Sequence, residues 1–148
     1  MEICFRPTPN TFAIRLTVRR EWAVVWRNRF ELIPVCPEVL GGLPTPRTPS
    51  ERRGACVVRK DGRDVTAEYR RGAECALETA RREGVLAAVL KERSPSCGSG
   101  EIYDGTFTGA LTAGDGVTAE LLKANGITVY GEGEQSLTEF LCSVSHST

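Results

Sequence analysis

The sequence predicts an α/β fold: a single compact domain with a largely parallel sheet and helices on both faces, in a Rossmann-like three-layer arrangement. Two observations predict this class. Short apolar, β-branched runs alternate with stretches of helical periodicity from residue 31 onward, which is typical of βαβ units. One of these runs, VLAAVLK at 85–91, is almost continuously apolar, as strands buried on both faces of a parallel sheet are.

A stiff loop follows the first predicted strand. The segment ELIPV (31–35) is expected to be a buried strand. The stretch PVCPEVLGGLPTPR (34–47) is expected to be irregular, because it holds four prolines and two glycines in fourteen residues. The next strand is predicted at ACVVRK (55–60), after which an Asp-Gly pair turns the chain.

The long helix predicted at 65–84 has a signal at each end. Asp64 is suited to cap its start, and Gly84 to stop it. Apolar and aromatic residues recur along it at helical spacing and predict one buried face. That face consists of Tyr69, Ala73, Ala76 and Ala80.

The remaining elements surround a second irregular region. The strand predicted at 85–91 leads into a glycine-rich loop at about 94–116. GVTAELLKAN (116–125) is then a predicted helix closed by Gly126, and ITVYG (127–131) is the last predicted strand. Strands that alternate with helices in this way imply the parallel sheet.

The chain is expected to form one domain over residues 1–148, a length that can bury a core without disulfides. Residues 1–30 are an atypical N-terminal segment with six arginines and both tryptophans. Their partial alternation predicts one or two strands, and their arginines favour a solvated face over contact with nucleic acid. Residues 135–148 are a C-terminal tail, expected to add one or two helical turns before fraying.

The composition narrows the class of protein. The 19 basic and 19 acidic residues balance, which leaves no general electrostatic case for binding nucleic acid or an anionic membrane. No apolar run is long enough to span a bilayer. The N-terminus has an early acid and two prolines where a signal peptide would be basic and then apolar. We therefore expect a soluble, cytoplasmic protein.

The six cysteines lie at positions 4, 36, 56, 75, 97 and 142, without a CxxC pair. A cytoplasmic location argues against disulfides. Zinc is disfavoured because closely spaced ligand pairs are missing and the single histidine, His146, lies in the solvated tail. Cysteines that converge from distant loops remain compatible with an iron–sulfur cluster.

Two of these cysteines follow predicted strands at the edge of the sheet where ligands bind in α/β proteins. Cys36 comes after ELIPV, and Cys97 after VLAAVLK. Prolines and glycines beside both residues stiffen the loops and let backbone approach a ligand. Two interpretations stay open here: both residues are metal ligands, or both are small buried hydrophobic residues, as free cysteines commonly are.

Two further side chains in these loops, Glu38 and Ser94, also have two interpretations. Glu38 is either a surface carboxylate or, beside a metal, a general base. Ser94 is either the cap of a turn or a contributor to the site. Arg47 is expected to form a local ion pair with Glu51, which would contribute little to stability if exposed.

Three segments carry a resemblance to a known family: PVCPEVLGGLPTPR, LKERSPSCGSGEIYDGTF and GDGVTAELLKANGITVYGE. They resemble the signature segments of the TudS-like family, a former domain-of-unknown-function family that includes thiouracil desulfidases. The resemblance runs over about residues 31–134. It implies a compact α/β domain with a [4Fe-4S] cluster held by three cysteines. It also implies non-redox hydrolysis, in which the fourth iron binds the sulfur of a thiolated base and oxygen replaces that sulfur.

The resemblance assigns roles to particular residues. Cys36 and Cys97 would be two cluster ligands, Glu38 would activate water, and Ser94 would orient the substrate or assist proton transfer. In the family the third ligand belongs to an early segment like SACLLG, which this chain lacks. Either Cys4 is a divergent third ligand, or residues 1 to about 28 are not a family N-terminus.

The first functional hypothesis is accordingly a [4Fe-4S]-dependent desulfidase that acts on a small thiolated nucleobase or nucleoside, converting thiouracil to uracil. The second is a non-catalytic metal or redox module, a degenerate member without an intact cluster site. A third places small-molecule or phosphate binding in the 94–116 loop. The sequence leaves open whether the protein is a monomer or a homodimer.

Overall fold

The computed structural model describes residues 33–85 and 87–145. The predictions for residues 1–30, including the role of Cys4, and for His146 lie outside these ranges. In chain order the described elements are α1 (Pro37–Leu40), β1 (Ser50–Arg53), β2 (Cys56–Arg59), α2 (Thr66–Arg82), β3 (Ala87–Leu90), β4 (Glu101–Tyr103), β5 (Leu111–Ala113), α3 (Val117–Ala124), β6 (Thr128–Gly131) and α4 (Glu134–Ser145).

The described strands form three two-stranded sheets within a mixed α/β fold. Strands β3 and β6 pair in parallel, with Ala87 opposite Thr128. The pairs β1–β2 and β4–β5 are antiparallel hairpins, as the short connection between β1 and β2 requires. The α/β class is thus confirmed, whereas a largely parallel sheet in three layers is not confirmed by this part of the chain.

Most predicted elements after residue 55 are confirmed. The runs ACVVRK, VLAAVLK and ITVYG contain β2, β3 and β6, and GVTAELLKAN contains α3. Helix α2 begins where the carboxylate of Asp64 accepts the N–H of Thr66 at 2.8 Å. It ends before Gly84, which takes φ +65°. The four predicted core residues of α2 are all buried.

The irregular regions hold more structure than predicted. Residues 37–40 form the one-turn helix α1 despite the surrounding prolines, because Pro37 stands at a first-turn position, where its missing N–H costs nothing. No strand covers 33–36, where Ile33 makes only an isolated bridge. The 94–116 loop contains the β4–β5 hairpin.

The C-terminal tail is also more ordered than predicted. It forms the twelve-residue helix α4 rather than one or two turns. Phe140 on this helix is 1% exposed and packs edge-on against Tyr130, with ring centroids 5.2 Å apart. Tertiary burial therefore stabilises a segment whose local signal is weak. Among the described residues, no helix is long and apolar enough to cross a membrane.

Three apolar clusters hold the described elements together; the smallest joins Val35 to Ala76 of α2, and the other two are larger. The larger one joins the β3–β6 pair to helices α2, α3 and α4, and Val89 and Leu90 at its centre are fully buried. The smaller one lies between β2 and α2 and contains Leu43, Val57, Val65 and Tyr69. Helix α2 contributes to both of these clusters. The carboxyl end of β3, which emerges from the larger cluster, therefore lies close to the elements that the smaller cluster joins.

Two glycines let α1 lie directly against α2. A Cβ atom at Gly72 would overlap the carbonyl oxygen of Pro37, and one at Gly41 would overlap the carbonyl oxygen of Glu68. The guanidinium of Arg71 also donates to the carbonyl oxygen of Gly41, at 3.1 and 2.5 Å. The turn that carries Cys36 and Glu38 is therefore positioned by backbone contact with α2.

Gly72→Ala tests this contact. Alanine ordinarily stabilises a helix by up to about 1 kcal/mol relative to glycine, but here the added methyl group overlaps backbone. We expect a net loss of about 1–3 kcal/mol in the free energy of unfolding, measured by urea denaturation. Glu74→Ala, at an exposed position on the same helix, should change stability by less than about 0.5 kcal/mol. A stabilised Gly72→Ala would contradict the contact.

Candidate active site

A cleft of about 680 Å³ opens at the carboxyl end of β3. Residues 91–95, which follow β3, form one wall, and α1 with the chain leading to β1 forms the other. Tyr69 of α2 and Tyr103 of β4 also contribute to the lining. The cleft lies where ligands bind in α/β proteins, beyond the carboxyl end of a parallel strand.

Arg47 organises the wall opposite β3. Its guanidinium forms an ion pair with the half-buried carboxylate of Glu38 and lies 3.9 Å from the sulfur of Cys36. It also donates to the carbonyl oxygen of Pro44 at 3.1 Å and to the hydroxyl of Thr45 at 2.9 Å. Burial lowers the pKa of Arg47, but Glu38 and Cys36 outweigh it and raise the pKa overall. The group is therefore a fixed cation between a sulfur and a carboxylate.

Ser94 builds the turn that carries Cys97. Its hydroxyl oxygen accepts the N–H groups of Ser96 at 3.1 Å and Cys97 at 3.0 Å, while its carbonyl oxygen accepts the N–H of Gly98 at 2.9 Å. Cys97 itself is 2% exposed. The interpretation of Ser94 as a turn cap is thus confirmed, and its position in the cleft lining keeps a contribution to the site open.

The first turn of α3 holds this turn from behind. The carbonyl oxygen of Ser96 accepts the N–H groups of Thr118 at 2.8 Å and Ala119 at 3.2 Å, and the hydroxyls of Ser96 and Thr118 are 2.9 Å apart in full burial. A Cβ atom at Gly116 would overlap the Ser96 carbonyl group. The backbone of Cys97 is therefore fixed by α3, as that of Cys36 is by α2.

Asp115 secures the far side of the same turn. Its carboxylate accepts the N–H of Gly100 at 2.7 Å and a hydrogen bond from the ammonium group of Lys123 at 2.8 Å. Burial raises the pKa of this carboxyl group, but the bonds from Lys123 and Gly100 outweigh burial, so the pKa lies below its ordinary value. Asp115 is therefore ionised at neutral pH.

The structure brings most of the predicted site together. Cys36, Glu38 and Ser94 line one cleft, and Cys97 is buried in the turn that Ser94 caps. Cys4 lies outside the described residues, among which no group of three or more side chains is arranged to hold a metal ion. The remaining cysteines of the described part, Cys56, Cys75 and Cys142, are absent from the lining.

The predicted ion pair between Arg47 and Glu51 is wrong. Arg47 pairs with Glu38, because α1 returns that carboxylate towards the loop. Glu51 is 8% exposed and accepts the N–H of Phe107 at 2.9 Å. Its partner comes from the β4–β5 hairpin, which the sequence did not indicate.

Two residues of the site had no functional signal in the sequence. Arg47 lies eleven residues from Cys36, so only folding shows that it contacts both Cys36 and Glu38. Tyr69 belongs to the predicted apolar face of α2. The helical spacing of that face predicts that Tyr69 is buried, but it does not predict that Tyr69 lines the cleft. Residues 92 and 93, by contrast, directly follow the strand predicted at 85–91, at the sheet edge where ligands bind in α/β proteins.

The arrangement defines an α/β protein with Cys36 and a carboxylate–guanidinium pair in one cleft and Cys97 buried in the turn that follows its wall, which is typical of an enzyme. A sequence model of the 2-thiouracil desulfurase family matches residues 13–134. The chain belongs to that enzyme family. The match begins earlier than the resemblance at about residue 31 indicates and includes much of the segment 1–30, whereas Cys4 precedes it.

Two relatives support this membership. The chain is 46% identical over 112 residues to the uncharacterized protein YbbK of Bacillus subtilis, covering 69% of this chain and 74% of YbbK. It is similar to a solved structure described as a [4Fe-4S]-dependent thiouracil desulfidase TudS, with 46% identity and a TM-score of 0.78. That similarity covers 88% of this chain and 85% of the TudS chain.

The depressed pKa of Asp115 predicts an acid-sensitive contribution to stability. The contribution is present when the pH is above the pKa of this carboxyl group in the unfolded chain, near 3.9. It is lost as the pH falls through the lower pKa that the group has in the folded protein. Asp115→Asn should therefore lower the free energy of unfolding by about 1 kcal/mol at pH 7, and the difference from wild type should narrow below about pH 4. Urea denaturation at pH 7 and at pH 3 measures both; a difference that stays constant with pH would contradict the role of its charge.

Proposed function

We propose that the protein removes sulfur from a small thiolated nucleobase or nucleoside, converting thiouracil to uracil by hydrolysis without net redox change, and depends on a [4Fe-4S] cluster. The observation that carries this proposal is the position of Arg47, which contacts a candidate ligand, Cys36, and the candidate base, Glu38, at one cleft. Family membership and the description of the TudS neighbour support the same chemistry.

The cysteine in the cleft lining and the one buried in the neighbouring turn are the type of ligand that such a cluster takes. Iron–sulfur clusters are held by cysteine thiolates, and Cys36 and Cys97 lie on turns fixed by backbone contact. Arg47 places a positive charge 3.9 Å from the sulfur of Cys36, which complements the negative charge that thiolate ligation brings. Cys36 and Cys97 would hold the cluster, with Cys4 as the proposed third ligand. When bound, a cluster with three protein ligands supplies an iron with an open position, a Lewis acid towards sulfur.

The proposed reaction balances with water alone. The carbon–sulfur bond of the thione breaks and a carbon–oxygen bond to the attacking water forms. The two protons of that water leave with the sulfur as hydrogen sulfide, and no electrons are gained or lost. The reaction therefore requires a base near the attacking water but no nicotinamide, flavin or external reductant.

Glu38 is the proposed base. Its carboxylate lies in the cleft lining, and Arg47 holds it in one place. A carboxylate held in this way can accept a proton from water at a defined position. Ser94 is proposed to keep the Cys97 turn rigid through its two accepted N–H bonds, while its own O–H remains able to donate towards a substrate in the cleft.

Replacing cysteines one at a time tests the cluster. We expect anaerobically reconstituted wild type to bind about four irons per chain and to release sulfide from 2-thiouracil. Cys36→Ser and Cys97→Ser should each lose most of the bound iron and the activity. The matched controls Cys56→Ser on β2 and Cys75→Ser on α2, which belong neither to the cleft lining nor to the turn that Ser94 caps, should keep both. Iron and acid-labile sulfide analysis, the visible spectrum and a sulfide assay give the measurements.

The outcomes separate the alternatives. Full iron loading in Cys36→Ser together with Cys97→Ser would overturn the ligand assignment. A loaded wild type that releases no sulfide from any thiolated base would favour the non-catalytic metal or redox module. Loss of iron in Cys4→Ser would support Cys4 as the third ligand, and retention would assign the cluster to two described cysteines and another group.

Glu38→Gln separates the base from the cluster. Loss of a general base lowers kcat by about 10²- to 10⁴-fold, and we expect a loss of this size with iron content unchanged. Glu74→Gln, an exposed carboxylate on α2, is the matched control and should keep wild-type kcat. A Glu38→Gln protein with wild-type kcat would show that water is activated by another group.

A further inference from the structure

Tyr69 is a buried tyrosine that the proposed reaction does not yet use. It is 3% exposed, and its ring packs with Leu43, Val57 and Val65. Yet it also lines the cleft, together with Glu38 and Ser50. The ring is therefore anchored in the core, at a position where the side chain also borders the cleft.

The hydroxyl of Tyr69 stays protonated. Burial is the largest cause of a strongly raised pKa, the charge of Glu38 raises it further, and Ser50 and Arg47 only partly oppose these effects. A phenol of this kind is a poor acid but a lasting hydrogen-bond donor. A hydroxyl hydrogen rotates about the C–O bond, so the phenol O–H can point into the cleft that the side chain lines.

Both arginines of the cleft lining are engaged with the protein. The guanidinium of Arg47 binds Glu38, Pro44 and Thr45. Arg93 pairs with Glu101 at 3.2 Å. Tyr69 is thus a buried, preorganised donor next to the candidate base.

A thiouracil ring needs such a donor. It carries a thione and a carbonyl oxygen on the two ring carbons that flank one ring N–H. The carbonyl oxygen loses its water on entering the cleft, and an unpaired buried acceptor is costly. We propose that the Tyr69 hydroxyl donates to the ring carbonyl oxygen on the other side of this N–H from the thione, and so selects oxo-thiopyrimidines over thiopyrimidines without that oxygen. This inference rests on the proposed function and names the part of the substrate that Tyr69 recognises.

The test pairs one variant with two substrates. The loaded enzyme is assayed for sulfide release from 2-thiouracil and from pyrimidine-2-thione, which has the thione but no ring carbonyl. Tyr69→Phe should lower kcat/KM for 2-thiouracil roughly tenfold to hundredfold and leave kcat/KM for pyrimidine-2-thione within about twofold. Tyr130→Phe, in the separate contact with Phe140, is the matched control and should change neither.

A purely structural role for Tyr69 would lower kcat/KM for both substrates equally. That result would overturn the inference, and so would an unchanged kcat/KM for both substrates.

A second measurement does not need turnover. Wild type should bind uracil about tenfold or more tightly than pyrimidin-2-one by calorimetry, and Tyr69→Phe should remove this preference. Equal wild-type binding of the two compounds would also overturn it, even if the variant fails to fold. Uracil preference without sulfide release would leave Tyr69 supported and refute the desulfidase proposal.

Discussion

The contact between the backbones of α1 and α2 is the constraint on which the cleft depends. Gly41 and Gly72 let the two helices touch where any side chain would overlap a carbonyl group. Because α1 is a single turn, it has too few internal hydrogen bonds to hold its own orientation. Packing against the seventeen-residue helix α2 fixes Cys36 and Glu38 on one wall of the cleft.

The opposite wall repeats this arrangement with different residues. Gly116 lets the first turn of α3 meet the Ser96 carbonyl group, and the hydrogen bonds from Thr118 and Ala119 then hold the Cys97 turn. Each cysteine therefore stands on a short irregular segment whose backbone is bound to a helix. This geometry restricts motion of the two sulfurs more than stiff loop composition alone would, and metal ligands and general bases both require such preorganisation.

The polar groups of the cleft divide into fixed charges and a neutral donor. The opposite charges of Arg47 and Glu38 balance each other at short range. The site therefore holds a carboxylate that can take part in proton transfer, while this ion pair adds no net charge to the cleft. Tyr69 adds a donor that burial keeps neutral. A hydrolysis that exchanges sulfur for oxygen needs a base, a way to hold the leaving sulfur and recognition of the rest of the ring. The cysteines, Glu38 and Tyr69 divide those tasks in our proposal.

The sequence by itself determined the α/β class, helix α2 with its cap and glycine stop, the buried strand β3, and the two cysteine-bearing loops, because these depend on local periodicity and turn chemistry. It did not determine α1, the β1–β2 and β4–β5 pairings, the length of α4, or the partners of Arg47 and Tyr69. The two hairpins are local pairings that carried no clear pattern in the sequence. The rest was decided by the tertiary structure, since it depends on contacts between different elements: Gly41 with Gly72, Phe140 with Tyr130, and Glu51 with Phe107.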